Sequence, residues 1–154
     1  NRKDFLVIKG GKDKFNRMVV SSKYVDILLD PHLGKRRDFI HHRNSGLNQV
    51  LCKLAKQNNV AIGFSFSSIL DSKDRGRSIG RIMQNIRICR KYKVPIVIGS
   101  FAKTNVKTRN FTDIQSFFKI IGMTGKEVKN LFIAEKLDYK KRYIKKGVMR
   151  IKWT

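Results

Sequence analysis

Short apolar runs alternate along this chain with segments whose apolar residues recur at helical spacing. The runs are continuous, without the in–out alternation of a half-solvated strand. Phe5-Leu6-Val7-Ile8 stops at Gly10-Gly11; Val25 to Leu29, Val60 to Phe64 and Pro95 to Gly99 follow. Strands apolar on both faces are covered on both, as in a parallel sheet. Pro95 stands first in its run, where a strand tolerates proline.

The helical segments are equally plain. Leu47, Val50, Leu51, Leu54 and Ala55 repeat on one face behind Ser45, read as the N-cap. Ile79, Ile82, Met83 and Ile86 share a face, with Arg77, Arg81, Arg87 and Lys91 opposite. Ile114, Phe117, Phe118 and Ile121 mark another helix, which Gly122 stops. Thr124 and Glu127 form a capping box, with Met123 placed to staple on Val128, and that helix runs through Leu131 and Phe132. Val148 to Trp153 reads as a last strand. Strand–helix alternation gives an α/β fold with parallel strands, either an open doubly wound sheet or a β/α barrel. A full barrel takes about 250 residues. At 154 residues the chain is expected to be one domain, small, shortened or N-terminally incomplete if a barrel, with a basic C-terminal extension over about 136–154. Asn1 in place of an initiator methionine implies residues ahead of it.

Thirty-five Lys and Arg against 11 Asp and Glu leave a formal charge of +24. Self-repulsion on this scale destabilises a compact chain and points to a polyanionic partner, nucleic acid first. A disordered basic tail is excluded, because 41% of residues are hydrophobic and prolines number only two. No apolar run is long enough for a membrane span, and no signal peptide is visible. Cys52 and Cys89 have no metal-ligand spacing and are read as reduced, buried thiols of a cytoplasmic protein.

Three basic loops follow three successive strands. The first, Asp30 to Asn44, carries Lys35, Arg36, Arg37, His41, His42 and Arg43, with Phe39 as a stacking platform. The second, Asp71 to Arg77, contributes Arg75 and Arg77 and leads to Arg81 on the next helix. The third, Ser100 to Asn110, holds Lys103, Lys107 and Arg109 and no acid. Parallel strands set such loops on one rim, so these cations are expected to form one positive surface for contact with RNA or DNA, joined by Lys140, Lys141 and Arg142 of the tail. His32, His41 and His42 make a poor metal site, since only Asp30 and Asp38 lie near among many cations. For His32 a phosphate contact or a surface position is expected, and for Asp30 the ordering of the turn beside Pro31. No nucleophile–base pair stands out. Gly10-Gly11-Lys12 lacks the spacing of a P-loop, and Gly76 to Gly80 lacks the dinucleotide fingerprint.

An ordered series of short segments resembles the protein component three family of archaeal ribonuclease P, whose eukaryotic counterpart is the thirty-kilodalton subunit. The series includes Gly10-Gly11 and Asn16-Arg17, Val25-Asp26-Ile27-Leu28, Pro31-His32-Leu33-Gly34-Lys35 and Asn44 to Leu51. Asn59 to Ile62, Phe64-Ser65-Phe66 and Tyr92 to Ile98 continue it, with Ser100 and Ala102 beyond. The resemblance implies a TIM-barrel-like fold whose first strands lie before Asn1 or are absent. It implies a non-catalytic subunit that helps the catalytic RNA remove the 5′ leader of precursor tRNA. The partners it implies are ribonuclease P RNA, other ribonuclease P proteins and, indirectly, precursor tRNA. Cytoplasmic location is implied, or nuclear if eukaryotic, and no cofactor, any magnesium belonging to the RNA. The chain departs from the family pattern at His32, Asn48-Gln49, Gly63 and Ser100 to Lys103, where acids or ligands have become neutral or basic, and has an insertion over Arg36 to Arg43. Two other readings stay open: a metal-dependent phosphoesterase on the same barrel, and a scaffold protein of another ribonucleoprotein such as the ribosome.

Overall fold

The computed structural model describes residues 6–129 and the strand residues 143–145 and 148–149. Four strands, β1 (Val7–Lys9), β2 (Ile27–Leu29), β3 (Ala61–Ser65) and β4 (Ile96–Gly99), form one sheet in the order β1-β2-β3-β4, every pair parallel. Each lies within a residue or two of its apolar run.

Register divides the sheet into two faces. Leu28, Ile62 and Ile96 stand side by side, with Phe64 beside Ile98, and all belong to the main buried core. That core takes Val19 and Val20 from α1 (Asp13–Ser21), Leu51, Cys52 and Ala55 from α2 (Gln49–Asn58), and Ile69 from α3 (Phe66–Leu70). Ile82, Ile86 and Cys89 come from α4 (Arg75–Tyr92), Ile114 and Phe118 from α5 (Phe111–Ile120), and Val128 from α6 (Gly125–Lys129). The opposite face carries a much smaller cluster, Ile27 and Ala61 with Val97. The described helices therefore cover a single face of a sheet whose strands run in chain order. That is the winding of a β/α barrel, whereas a doubly wound sheet reverses its strand order and carries helices on both faces. The described strands form a four-strand sheet, and no pairing among them closes a barrel.

Local chemistry explains the element ends. Thr124 and Glu127 make the expected capping box, with the Thr124 N–H donating to Glu127 Oε2 (2.7 Å) and the Glu127 N–H to Thr124 Oγ1 (3.2 Å). Met123 and Val128 are buried beside it. Gly122 ends the preceding helix region at φ +117. The start of α2 differs from expectation: its N-cap is Asn48, whose side chain accepts from the Leu51 N–H, while Ser45 lies in the preceding loop. The reason is Gly46, held at φ +77 with its Cα against the Pro31 carbonyl, so that the chain at Ser45 cannot yet turn helical. Cys52 and Cys89 are both free thiols in the core. Val148–Met149 is a strand, paired antiparallel with Tyr143–Lys145 in a separate two-strand sheet. Leu131, Phe132, Lys140, Lys141, Arg142 and Arg150 to Thr154 lie outside the described residues. Among the described residues no helix is long and apolar enough to cross a membrane.

Candidate nucleic-acid interface

The loop between β2 and α2 has almost no regular structure, yet polar side chains from two helices pin it along its length. Asn16 of α1 is fully buried. Its Nδ2 donates to the carbonyls of Pro31 (3.1 Å) and Gly46 (3.2 Å), and its Oδ1 accepts from the Gly11 N–H (2.8 Å). One side chain thus ties the turn after β1 to both ends of the loop. From α4, Asn85 donates to the Ser45 carbonyl (3.0 Å), and Gln84 donates to the Arg43 carbonyl (2.8 Å) while accepting from the Arg43 N–H (3.2 Å).

Two arginines expected at the RNA surface serve this internal framework. Arg36 turns inward, its side chain only 5% exposed, and pairs with Asp13. It also donates to the carbonyls of Leu33 and Gly11 and to Asn44 Oδ1. Arg81 is buried as well. Its Nε donates to Asp38 Oδ1 (2.9 Å) and its Nη2 to the Arg36 carbonyl (2.9 Å). The solvated helix face expected at Arg81 is covered because Asp38 folds back over α4. Burial pushes the Asp38 carboxyl up, but the Asn44 N–H and the Arg81 and Arg43 guanidinium groups outweigh it and hold its pKa below the usual range. Arg77 and Arg43 approach the same carboxylate, at 3.9 and 3.3 Å.

Anchored in this way, the loop leaves Lys35, Arg37, His41, His42 and Arg43 exposed. The Phe39 and His42 rings stack at 4.6 Å and 29°, and Ile40 stands 95% exposed beside them. The Arg43 guanidinium lies over Gly80, where a Cβ would displace it. A cavity of about 230 Å³ opens behind the stacked rings, bounded by Asn44, Asn48 and Gln84. Arg75 and Arg77, at the start of α4, are exposed; Arg75 donates to the Leu70 carbonyl (3.0 Å), and the N-cap Asp74 accepts from the Arg77 N–H (2.9 Å). After β4, Lys103 and Arg109 are exposed, and Lys107 sits in a single 3-10 turn, Asn105–Lys107. The loops after β2 and β3 meet directly, through Asp38 and Arg77. The loop after β4 joins the end of β3 and α3, Ser65 Oγ (3.3 Å) and the Ser67 N–H (3.1 Å) both donating to the Ser100 carbonyl.

His32 departs furthest from expectation. It is 1% exposed, and neither ring nitrogen has a hydrogen-bond partner among the described residues. Burial first, then the charges of Arg81 and Arg36, push its pKa down to about 3, so the ring is neutral. Asp30 does order its turn: at φ +51 its Oδ1 accepts from the Ser65 N–H (2.8 Å), linking the ends of β2 and β3. Among the described residues no three His, Cys, Asp or Glu side chains come together to hold a metal ion.

Fold and surface together define a parallel β/α protein whose strand-end loops present a braced cationic surface. The family model for RNase P subunit p30 matches residues 1–138, and the chain belongs to that family. The chain is 31% identical to ribonuclease P protein component 3 of Methanosarcina mazei over 153 residues, 94% of this chain and 61% of that one. It is 32% identical to the protein of the same name in Methanocaldococcus jannaschii over 123 residues, 79% of this chain and 50% of that one. A chain from the "cryo-EM structure of archaeal Ribonuclease P with mature tRNA" superposes with a TM-score of 0.76 at 30% identity, covering 97% of this chain and 65% of that one. This chain thus spans about half to three fifths of the length of these curated relatives.

Proposed function

We propose that this chain is an RNA-binding, non-catalytic protein subunit of ribonuclease P. In this reading it supports the catalytic RNA as the 5′ leader of precursor tRNA is removed. The observation that carries the reading is the division of labour within the loop after β2. Arg36 and Arg81 are consumed internally as anchors, so the exposed Lys35, Arg37 and Arg43 stand on a fixed backbone. A fixed array of cations aligns with phosphates without first ordering a loop, which lowers the entropic cost of binding. Its partners are ribonuclease P RNA and other ribonuclease P proteins, with precursor tRNA contacted indirectly, and any magnesium belongs to the RNA.

The mechanism is electrostatic. Each neutralised phosphate releases counterions, so about eight contacts to a largely unpaired strand give a log–log salt slope of about −6. The test is purification of the protein from its own cells and sequencing of the bound RNA. Ribonuclease P RNA is the expected majority species. Recovery of ribosomal RNA alone refutes the assignment, as does chelator-sensitive phosphoester hydrolysis by the RNA-free protein.

A further inference from the structure

A second cavity, of about 430 Å³, opens at the carboxyl ends of the parallel strands, apart from the stacked rings of the basic loop. Lys9 ends β1, Asp30 follows β2, Ser65 ends β3 and Phe101 follows β4; each lines the cavity. The backbone here is unusual. Among the described residues four non-glycine positions have positive φ. Asn59 and Lys93 are C-caps of α2 and α4, an ordinary use of that conformation. Asp30 (φ +51) and Phe101 (φ +45) cap no helix, and both face this cavity. A bulky residue such as phenylalanine is costly there, and strain of this kind collects at ligand clamps. The surroundings hold it in place, with Ser67 Oγ donating to the Phe101 carbonyl (3.0 Å).

The lining brings three chemistries together. Lys9 and Lys103 are exposed ammonium groups that favour an anion, on a rim they share with the exposed Asp71 carboxylate. Asp30 and Ser65, both buried, lie against hydroxyl-bearing Ser68 and suit a hydroxylated ligand, since a carboxylate beside a strand end accepts hydrogen bonds from ribose. Phe101, 39% exposed, and Leu33 supply an apolar wall on which a base can stack. Inorganic phosphate would engage the lysines but meet the Asp30 carboxylate, and a neutral sugar would leave both lysines idle. A ribonucleotide satisfies all three parts, and the volume falls in the range of small-ligand pockets. We propose that this cavity binds a single ribonucleoside 5′-monophosphate unit, as free nucleotide or as one unpaired residue of an RNA strand. The lysines hold the phosphate, Asp30 the ribose hydroxyls and Phe101 the base. This site is independent of the ribonuclease P assignment.

The test is an amide chemical-shift titration of the isotope-labelled full chain. The probes are adenosine 5′-monophosphate, its 2′-deoxy counterpart, adenosine, inorganic phosphate and a short single-stranded oligoadenylate. Expected is saturable adenosine monophosphate binding with shifts at Ser65, Ser67, Ser68 and Phe101, and about tenfold weaker binding of the deoxynucleotide, the worth of one hydrogen bond to a charged group. Asp30→Asn keeps an acceptor for the Ser65 N–H and tolerates positive φ. It should abolish the ribose preference, while Lys103→Ala weakens the monophosphate and leaves adenosine unchanged. Tighter binding of oligoadenylate at the same amides identifies the strand as the source of the nucleotide, and tighter binding of the monophosphate identifies free nucleotide. Shifts confined to Lys35 to Arg43, equal binding of ribo- and deoxynucleotide, or equal shifts from inorganic phosphate overturn the proposal. Arg37→Ala, on the basic loop, should leave monophosphate binding intact even where it weakens RNA binding.

Discussion

Acid should act on this fold through two buried groups that oppose each other, and replacing either one exposes the other. His32 titrates at about 3 in the folded chain, below its ordinary 6.5. Between these values the unfolded chain binds a proton that the folded chain does not, so stability falls as pH drops below 6.5. The loss is about 1.4 kcal/mol at about pH 5.5 and about 2.7 kcal/mol at about pH 4.5. Asp30 runs the other way. Burial raises its carboxyl to about 6 from an ordinary 3.8. In that window the folded chain binds the extra proton, so acidification relieves about 2 kcal/mol by about pH 4.5. The two nearly cancel in the wild type, which should change by only about 1 kcal/mol over this range. His32→Leu removes an imidazole without hydrogen-bond partners and should become more stable on acidification, by about 2 kcal/mol. Asp30→Asn should lose nearly 3 kcal/mol, an approximate figure from the same linkage. The assay is urea unfolding followed by far-ultraviolet circular dichroism, without RNA, kept at or above about pH 4.5. The limit keeps out Glu127, whose carboxyl, held down to about 2 chiefly by Arg90, stabilises the fold at neutral pH and loses that effect as pH falls below 4.5. A constant difference between wild type and His32→Leu from about pH 7.5 to about pH 4.5 refutes a buried, neutral His32.

Asn16→Ala should cost about 2–4 kcal/mol in urea unfolding, since it strands the Pro31 and Gly46 carbonyls and the Gly11 N–H. Gly46→Ala should lower the melting temperature more than any surface change, because its Cβ would collide with the Pro31 carbonyl at a positive φ. Arg37→Ala and Arg81→Ala should separate contact from framework. The exposed Arg37 is expected to reduce the salt slope of RNA binding by about 0.7 with an unchanged melting temperature. Arg81→Ala should destabilise the fold by about 2 kcal/mol, removing the buried guanidinium that holds the partly exposed Asp38 carboxylate and the Arg36 carbonyl against α4.

Strands and helices were legible where burial is all or nothing. Ile62 and Phe64, or Ile82 and Ile86, are apolar because a sheet face or helix stripe is covered, and periodicity reports that directly. The short α3 escaped notice, because Phe66–Leu70 is too brief to show a period and its signal is only the N-cap Ser65. The basic loop was legible as cationic but not as anchored. Helical spacing put Arg81 with Arg87 on a polar face, and nothing local says that Asp38, far away in sequence, covers one and not the other. Polarity alone likewise put His32 at the surface, whereas the chain buries it between two arginines and Phe64, with the rings 6.2 Å apart. Asn16, Gln84 and Asn85 carry no marker that separates a buried pin from a solvated amide. The cavity at the strand ends gave no warning either, since positive φ at Phe101 is a tertiary property.

The charge imbalance is sharper in space than in composition. Asp13 pairs inward with Arg36, and Asp26 Oδ2 accepts from the Leu6 N–H (2.8 Å). Asp30 ties β2 to β3, Asp38 gathers Arg43 and Arg81, and Asp74 caps α4. Glu127 caps α6 and pairs with Arg90. Asp113, in the first turn of α5, sits where a helix dipole favours it. Apart from Asp113, these carboxylates serve as joints of the fold, each beside a donor it already satisfies, and so do little to screen cations elsewhere. An approaching polyanion therefore meets Lys35 and Arg37 with little competing negative charge, whereas Arg43 is already paired with Asp38. The same carboxylates make the basic loop stiff enough for those charges to keep their spacing. Net charge and loop order thus share a cause: the acids named above brace the described part of the chain, and the exposed cations of the basic loop are left largely unpaired by them.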